Sequence, residues 1–305
     1  MNFCWRWQKS IHKSYKNNGH VLCYTEEKGG DMIMLSSEQK KAIQSLQEKV
    51  EQADGIKLKL NWDLLEGERS LNGTEDYFYY NEKGELLGYL AVYFFGNKME
   101  CCGMVDPAAR RRGIGRMLLD QAASDWQGKT KQFLLNSPTD SESGIAFMKA
   151  VGAEYAFTEK QLVCREVPIP YTKKGIRIRP AVSNDEERIY ELDAEGFHMT
   201  KDEAKALHHN NPTWVTYMIE EDNHPVGKLS ISRQDQESWI YAFVLTKEKR
   251  GQGIGRAALT DIVHREVSNG KTVWLDVVCT NEAALTLYHT CGFTEVGSQT
   301  YYTLK

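Results

Sequence analysis

Two short segments rich in glycine and arginine are the parts of this sequence best suited to chemistry. Glycines let a backbone approach a ligand closely, and arginines add charge-assisted hydrogen bonds. Each segment follows an apolar run and opens an amphipathic helix, where unpaired N–H groups favour an anion. We therefore predict two loops that bind a phosphate or diphosphate, with the sequences Arg110-Arg111-Arg112-Gly113-Ile114-Gly115-Arg116 and Arg250-Gly251-Gln252-Gly253-Ile254-Gly255-Arg256.

The glycine spacing excludes two common nucleotide-binding loops. A P-loop requires GxxxxGK[ST], and neither segment supplies the lysine. A dinucleotide-binding loop requires GxGxxG, whereas the second segment reads GxGxG and the first GxG. The ligand of these loops is therefore not indicated by either motif.

The two loops belong to a repeat with a constant offset of 140 residues. The matches fall at loops and at element ends, where chance agreement is a poor explanation. A repeat of this length predicts two domains, as the chain length also suggests. The matched pairs are Arg110 and Arg250, Gly113 and Gly253, Gly115 and Gly255, Lys131 and Lys271, Leu135 and Leu275, Glu142 and Glu282, and Gly152 and Gly292.

Hydrophobic periodicity predicts the elements that must position these loops. In the first copy it predicts a helix from Ser36 to Gly55, a hairpin, a strand before the loop, a helix after it, a short strand and a last helix ended by Gly152. The second copy repeats the order of hairpin, strand, loop, helix, strand and helix. Its predicted helices include 185–197, 201–209 and 281–290, and its predicted strands include 176–181, 214–219, 226–232, 239–245, 273–278 and 298–304.

Composition limits the function classes. The net charge is −4 and the pI is about 6.1, which argues against a general nucleic-acid partner. Seven cysteines without a CxxC pair are typical of a reducing compartment, and no apolar run could span a membrane, so we expect a cytoplasmic protein. Histidine spacing predicts no metal site, and we expect His208 and His209 to be solvated.

The loops and a downstream segment resemble the GCN5-related N-acetyltransferase (GNAT) family. Its diphosphate loop has the pattern [RQ]xxGx[GA], and its later strand and helix often carry Asn, then Tyr seven residues on, then Gly-Phe. Here that segment runs from Val277 to Phe293. The resemblance covers nearly all of 175–305 and, more weakly, 36–165. It implies an α/β fold of two tandem domains, each a strongly twisted mixed sheet whose fourth and fifth strands splay apart around acyl-CoA.

The resemblance also implies roles for particular residues. The fourth strand would hold the pantetheine arm and polarise the thioester carbonyl through backbone N–H groups, and a tyrosine would protonate the leaving thiolate. In the second copy the tyrosine is Tyr288, and the acetyl-CoA-binding residues would be Phe243, Val244, Leu245, Arg250, Gly251, Gln252, Gly253, Ile254, Gly255, Arg256 and Asn281. Asn281 is equally well placed as a helix N-cap. A possible second CoA site in the first copy would comprise Met104, Val105, Arg110, Arg111, Arg112, Gly113, Ile114, Gly115 and Arg116.

Residues aligned by the offset of 140 differ between the two copies at positions that matter for function. Tyr288 corresponds to Met148, and Asn281 to Ser141. A thioether cannot donate a proton. We therefore expect the second copy to be catalytic and the first to bind CoA or to be structural.

The base that accepts the amine proton is not determined. Glu220, Glu221, Asp235 and Glu237 are candidates, although each is more simply a solvated charge near a turn.

The resemblance therefore implies an acyl-CoA-dependent N-acyltransferase that moves an acetyl group from acetyl-CoA to a small-molecule or peptide amine, and we expect no metal, nucleic acid or membrane to take part. The alternative is a non-catalytic CoA-binding sensor or scaffold. The expected domains are 34–167 and 175–305, joined by a linker at 168–174. Residues 1–33 show no clear period and are predicted to be a non-native or disordered N-terminal extension.

Overall fold

The computed structural model describes residues 11–15, 20–24, 35–65, 75–95 and 98–304. Its contacts divide the chain into two units. The first unit comprises Met1–Phe94, Lys98–Ala153 and Thr303–Lys305, and the second comprises Phe95–Asn97 and Glu154–Tyr302.

The first unit is a mixed sheet with helices. Its strands follow the order β1-β2-β3-β4-β5-β6 in the sheet. The pair β3–β4 is antiparallel, and the pair β5–β6 is parallel. The elements are β1 (Ile11–Tyr15), β2 (His20–Tyr24), α1 (Ser37–Asp54), α2 (Trp62–Leu65), β3 (Asp76–Tyr80), β4 (Leu86–Phe95), β5 (Lys98–Val105), α3 (Ile114–Trp126), β6 (Gln132–Pro138) and α4 (Glu142–Val151).

The second unit repeats this plan and adds two strands, one from the middle of the chain and one from its end. Its strands follow the order β13-β7-β12-β11-β10-β9-β8. The parallel pair is β11–β12, whereas β8–β9, β9–β10 and β10–β11 are antiparallel. The elements are β7 (Glu154–Cys164), β8 (Ile176–Pro180), α5 (Glu186–Phe197), α6 (Lys201–His209), β9 (Val215–Glu221), β10 (His224–Arg233), β11 (Glu237–Leu245), α7 (Ile254–Ser268), β12 (Thr272–Val278), α8 (Glu282–Thr290) and β13 (Thr294–Thr303).

The predicted repeat and fold class are confirmed. Helices α3 and α7 begin at Ile114 and Ile254, and helices α4 and α8 begin at Glu142 and Glu282, each pair 140 residues apart. Local signals also fix the ends of α1. The side chain of Ser36 caps α1 in a capping box, and Gly55 ends it in the left-handed conformation, as the sequence predicts.

Strand β7 is an element that the sequence pattern does not predict. It pairs antiparallel with β12, from Val273 opposite Cys164 to Val278 opposite Glu159. The main segment of the second unit therefore begins at Glu154, and the predicted linker at 168–174 lies inside it. The domain bounds given above stay a prediction.

The prediction for residues 1–33 falls mostly outside the described residues. Within that stretch the structure describes the backbone of β1 and β2, and β2 pairs antiparallel with β3. The prediction that residues 1–33 are a non-native or disordered extension stays a prediction. Among the described residues, no helix combines the length and apolar character needed to cross a membrane.

Gly196 gives a test of the packing of α5 on β11. A Cβ atom at Gly196 would lie 2.2 Å from Cγ2 and 3.0 Å from Cβ of Val244. Overpacking costs about 1–3 kcal/mol, and alanine gains only about 1 kcal/mol over glycine in a helix. We expect Gly196→Ala to lower the free energy of unfolding by up to about 2 kcal/mol, measured by denaturant titration. Gly297→Ala is the control, because no atom lies within 4 Å of its Cβ position. A Gly196→Ala protein as stable as that control would contradict the packing.

Candidate functional site

The parallel strand pair in each unit is hydrogen-bonded over only a short length. In the first unit the register runs from Lys98 opposite Gln132 to Cys101 opposite Leu135. In the second it runs from Glu237 opposite Thr272 to Trp239 opposite Trp274. Beyond these points the strands no longer pair, and an open seam remains between β5 and β6 in the first unit and between β11 and β12 in the second.

The two predicted phosphate loops have the same backbone path beside these seams. Each passes through a short 3₁₀ turn, Pro107–Ala109 or Lys247–Lys249. Each then reaches a glycine with positive φ at the helix N-cap, +84° at Gly113 and +79° at Gly253. Neither glycine supplies a side-chain cap, so the first N–H groups of α3 and α7 remain available to an anion.

The first arginine of each loop is structural in part. Nε of Arg110 donates to the carbonyl of Val105 (3.2 Å), and Nε of Arg250 donates to the carbonyl of Leu245 (3.0 Å). Each arginine thus ties its loop to the strand five residues earlier. A role of either arginine toward a ligand stays a prediction.

Arg110 has a further partner in the first unit. Its two terminal nitrogens donate to the Asp54 carboxylate at 2.8 Å each, and Ser143 donates to the same carboxylate at 2.9 Å. The hydrogen bonds from Arg110 hold the pKa of Asp54 below its usual range, against the effect of burial. Asp54 therefore joins the loop to α1 and α4.

A cavity of about 500 Å³ opens beside the first loop. Its walls come from the end of β5, the loop, the start of α3, the end of β6 and α4. Of the nine residues predicted for a first-copy site, the cavity is lined by Met104, Val105, Arg110, Arg111, Gly113, Ile114, Gly115 and Arg116. Arg112 is exposed, and its Nη2 donates to the carbonyl of Ala108 (3.2 Å).

Two residues of this cavity bear on its chemistry. Met148 is 5% exposed in its wall and offers no proton donor. Asn136, which the sequence analysis does not identify, is 9% exposed, and its Nδ2 has no hydrogen-bond partner. A buried donor without a partner is suited to a polar ligand atom.

The second loop is covered by a tyrosine of the same unit. The hydroxyl oxygen of Tyr171 lies 2.6 Å from the position of a Cβ atom on Gly253. The guanidinium of Arg256 lies 4.5 Å from the centre of the Tyr171 ring, and Oγ1 of Thr260 lies 3.2 Å from the Tyr171 carbonyl oxygen. In contrast, no atom lies within 4 Å of the corresponding position on Gly113. The two loops therefore differ in access.

Tyr288 lies in an apolar environment beside the second seam. It is 9% exposed and packs with Ile240, Leu259 and Phe293, whose ring centre is 5.9 Å away. Burial raises the pKa of Tyr288 to about 12. The phenol is therefore protonated at neutral pH and able to donate.

Asn281 and Ser141 are both observed as N-caps. Oδ1 of Asn281 accepts from the backbone N–H of Ala284 (3.2 Å), and Oγ of Ser141 accepts from that of Gly144 (3.1 Å). The contact of Asn281 with CoA stays a prediction.

Most of the candidate carboxylate bases are engaged. Glu220 is buried and accepts from Nε of Arg179 at 2.8 Å. Glu221 pairs with Lys249 at 2.6 Å, and Glu237 accepts from Nε1 of Trp239 at 3.0 Å. These pairings give Glu220 and Glu221 structural roles.

The prediction that His208 is solvated is wrong. Its Nε2 lies 2.7 Å from Oδ2 of Asp193, and its side chain is 16% exposed. The sequence gives no local signal for this contact, because Asp193 and His208 lie in different helices. Within the described ranges, no three His, Cys, Asp or Glu side chains form a group that could hold a metal ion.

Comparison with known proteins agrees with this geometry. Residues 180–293 match the model described as "Acetyltransferase (GNAT) family", and residues 73–152 match "Acetyltransferase (GNAT) domain". A search of curated proteins finds no significant match.

Solved structures show the same fold at low identity. A GCN5-related N-acetyltransferase from Sphaerobacter thermophilus has a TM-score of 0.68 at 21% identity, covering 86% of this chain and 91% of that one. A tandem GNAT protein from the clavulanic acid biosynthesis pathway has a TM-score of 0.65 at 15% identity, covering 90% and 98%. A putative acetyltransferase from Pyrococcus horikoshii has a TM-score of 0.62 at 14% identity, covering 96% and 91%.

Removal of the Tyr171 side chain tests whether it restricts the second loop. A cation–π contact of this kind is worth about 0.5–2 kcal/mol. We expect Tyr171→Ala to raise the acetyl-CoA affinity of the second unit by about 2–30-fold. The affinity is measured by calorimetry. The chain also carries Arg112→Glu, which is meant to weaken binding at the first loop so that the second can be measured. Tyr171→Phe is the control, because it keeps the ring on Arg256. Weaker binding by Tyr171→Ala would show that Tyr171 belongs to the ligand site.

Proposed function

Because this chain belongs to the GNAT acetyltransferase family, we propose that it transfers an acetyl group from acetyl-CoA to a primary amine. The amine attacks the thioester directly in a ternary complex. The acceptor is a small-molecule or peptide amine, and the reaction takes place in the cytoplasm.

The use of acyl-CoA is supported by one observation above the others. In the first unit the strand ends, the loop backbone and the start of α3 together enclose a cavity of about 500 Å³. The diphosphate would meet the free N–H groups of α3, and the arm would follow Met104 and Val105 along β5. An anion at this position is favoured by the helix dipole and by Arg111 and Arg116.

The chemistry is assigned to the second unit. Tyr288 supplies a protonated phenol beside the seam between β11 and β12, where the first unit has Met148. Backbone N–H groups at Phe243, Val244 and Leu245 would stabilise the negative charge that develops on the carbonyl oxygen. Tyr171 must leave Gly253 for acetyl-CoA to reach this loop.

A second candidate function is acyl-CoA sensing without transfer. It is favoured by the combination of an open cavity at Met148 and a covered loop at Gly253. Under that alternative the first unit binds acyl-CoA and neither unit transfers the acyl group.

A matched pair of loop substitutions separates the two units. Arg112 and Gln252 are exposed, and each donates to the carbonyl four residues earlier, so neither substitution removes a core contact. We expect Arg112→Glu and Gln252→Glu each to weaken acetyl-CoA binding to its own unit at least about fivefold, since like charges about 4 Å apart repel by about 1 kcal/mol even in water. Binding is measured by calorimetry, and turnover with a panel of amines.

Only Gln252→Glu should lower turnover at subsaturating acetyl-CoA. Loss of turnover in Arg112→Glu alone would place the chemistry in the first unit. Acetyl-CoA binding without turnover of any amine would support the sensing alternative instead.

Substitution of Tyr288 tests the proton donor. General acid catalysis contributes about 10²–10⁴-fold to a rate, so we expect Tyr288→Phe to lower kcat by about that factor without changing the KM for acetyl-CoA. Because the pKa of Tyr288 is about 12, the phenol stays protonated up to strongly alkaline pH. The ratio of wild-type to variant kcat should therefore be constant from pH 7 to about pH 10.

Tyr155→Phe serves as the control for that experiment, because Tyr155 is 63% exposed in the same unit. A Tyr288→Phe protein with unchanged kcat would exclude the acid role.

A further inference from the structure

Three ionisable side chains meet beneath α5 in the second unit. Oδ1 of Asp193 lies 2.5 Å from Nζ of Lys228, and Oδ2 lies 2.7 Å from Nε2 of His208. Asp193 and Lys228 are both 0% exposed. Lys228 balances the charge of the carboxylate, which can then accept a hydrogen bond from Nε2–H of His208.

His208 keeps one ring nitrogen free. Its Nε2 is hydrogen-bonded to Asp193, whereas Nδ1 has no hydrogen-bond partner among the described residues. The ring contacts those of Tyr190 and Trp214, whose centres are 5.8 Å and 5.9 Å away. At 16% exposure its side chain is the part of the group that reaches solvent. A carboxylate on one nitrogen fixes the tautomer and leaves the other nitrogen as a proton acceptor.

The group lies on the face of β11 from which the side chain of Val244 projects. Lys228 is the register partner of Val244, and Val244 packs with Ile189 and Leu192 of α5. The ring of Trp214, which contacts His208, stacks on Tyr241 of β11 at 4.8 Å. Asp193 and His208 therefore lie near the end of β11, where its pairing with β12 has stopped.

Tyr288 lies on the opposite face of the same sheet. It packs with Ile240, Leu259 and Val263, and so belongs to the α7 side of β11. The sheet thus has a phenol on the α7 side of β11 and an imidazole on the α5 side.

We propose that His208 is the general base that accepts the amine proton, with Asp193 as its positioning residue and Lys228 as the counter-ion of Asp193. This role rests on the transferase function proposed for the second unit. The amine would enter from the side of α5 and α6, and the thiol would leave toward the side of α7.

The proton balance is complete with these groups. Nδ1 of His208 takes one proton from the ammonium group and releases it to solvent. The amine nitrogen attacks the thioester carbon, so that a C–N bond forms and the C–S bond breaks. The leaving thiolate takes a proton from Tyr288, and the phenolate recovers the second amine proton. The products are the amide, the CoA thiol and one proton.

The groups that face His208 favour this role. Asp193 on α5 is the carboxylate that accepts from the ring, and Lys228 on β10 is directed at Asp193. Burial lowers the pKa of Lys228, against the effect of Asp193. Burial and the charges of Glu186 and Glu187 raise the pKa of Tyr190, so Tyr190 is neutral beside the ring. Trp214 and Tyr241 contribute neutral rings.

Substitution of His208 tests the base. We expect His208→Gln to lower kcat by about 10²–10⁴-fold with the KM for acetyl-CoA unchanged. Added imidazole should restore part of the turnover of His208→Ala. His209→Gln is the matched control, because His209 is the adjacent residue of α6 and is exposed.

A measurement on the wild-type chain does not depend on turnover. Nitrogen-15 NMR of labelled histidine, assigned with the His208→Gln spectrum, should show neutral His208 with its proton on Nε2 and a bare Nδ1 at the pH of the assay. A proton on Nδ1, or a charged ring at that pH, overturns the role.

The kinetic outcomes separate this inference from the proposed function. Turnover that His208→Gln leaves unchanged overturns the base and leaves the transferase function standing. Absence of turnover in the wild type overturns both. Loss of turnover equal in His208→Gln and His209→Gln, with no rescue by imidazole, also overturns the base, because it points to damage to α6.

Discussion

Each unit depends on one constraint, which is that its parallel strand pair, β5–β6 or β11–β12, stops pairing after a few residues. After Cys101 opposite Leu135, and after Trp239 opposite Trp274, the strand ends no longer satisfy each other's backbone groups. Unpaired backbone groups need a partner. The loop and the helix start lie at the same seam, so that one ligand can satisfy the strand edge with an extended arm and the helix N-terminus with an anion.

The two units share this frame and differ in what occupies it. Both N-cap glycines have positive φ, and both helices after the fifth strand have side-chain caps. The first unit adds the link from Arg110 to Asp54, and its loop borders a cavity. In the second, Tyr171 lies against Gly253. The two units thus share the glycine and capping residues that their backbones require, whereas they differ in side chains that impose no backbone requirement.

The sequence predicts the parts of the fold that local signals specify. The loops, the helix starts and the hairpins depend on glycine, capping residues and period, and Ser36 and Gly55 end α1 as expected. Strand β7 depends on β12, more than one hundred residues away, and no local pattern marks it. The contact of Tyr171 with Arg256 and that of Asp193 with His208 are tertiary in the same sense. For that reason His208 reads from sequence as a solvated residue of a polar helix.

The environments of His208 and Tyr288 differ in the way that acid–base chemistry requires. Tyr288 is surrounded by apolar side chains, which disfavour the phenolate and keep the proton on the ring oxygen. His208 contacts a carboxylate that a buried ammonium neutralises. A buried ion pair is often no more stabilising than an apolar pair of similar volume, so stability alone is a weak reason for Asp193 and Lys228. Orientation of an imidazole is a stronger one, because a carboxylate can hold the ring in one tautomer only while it remains ionised.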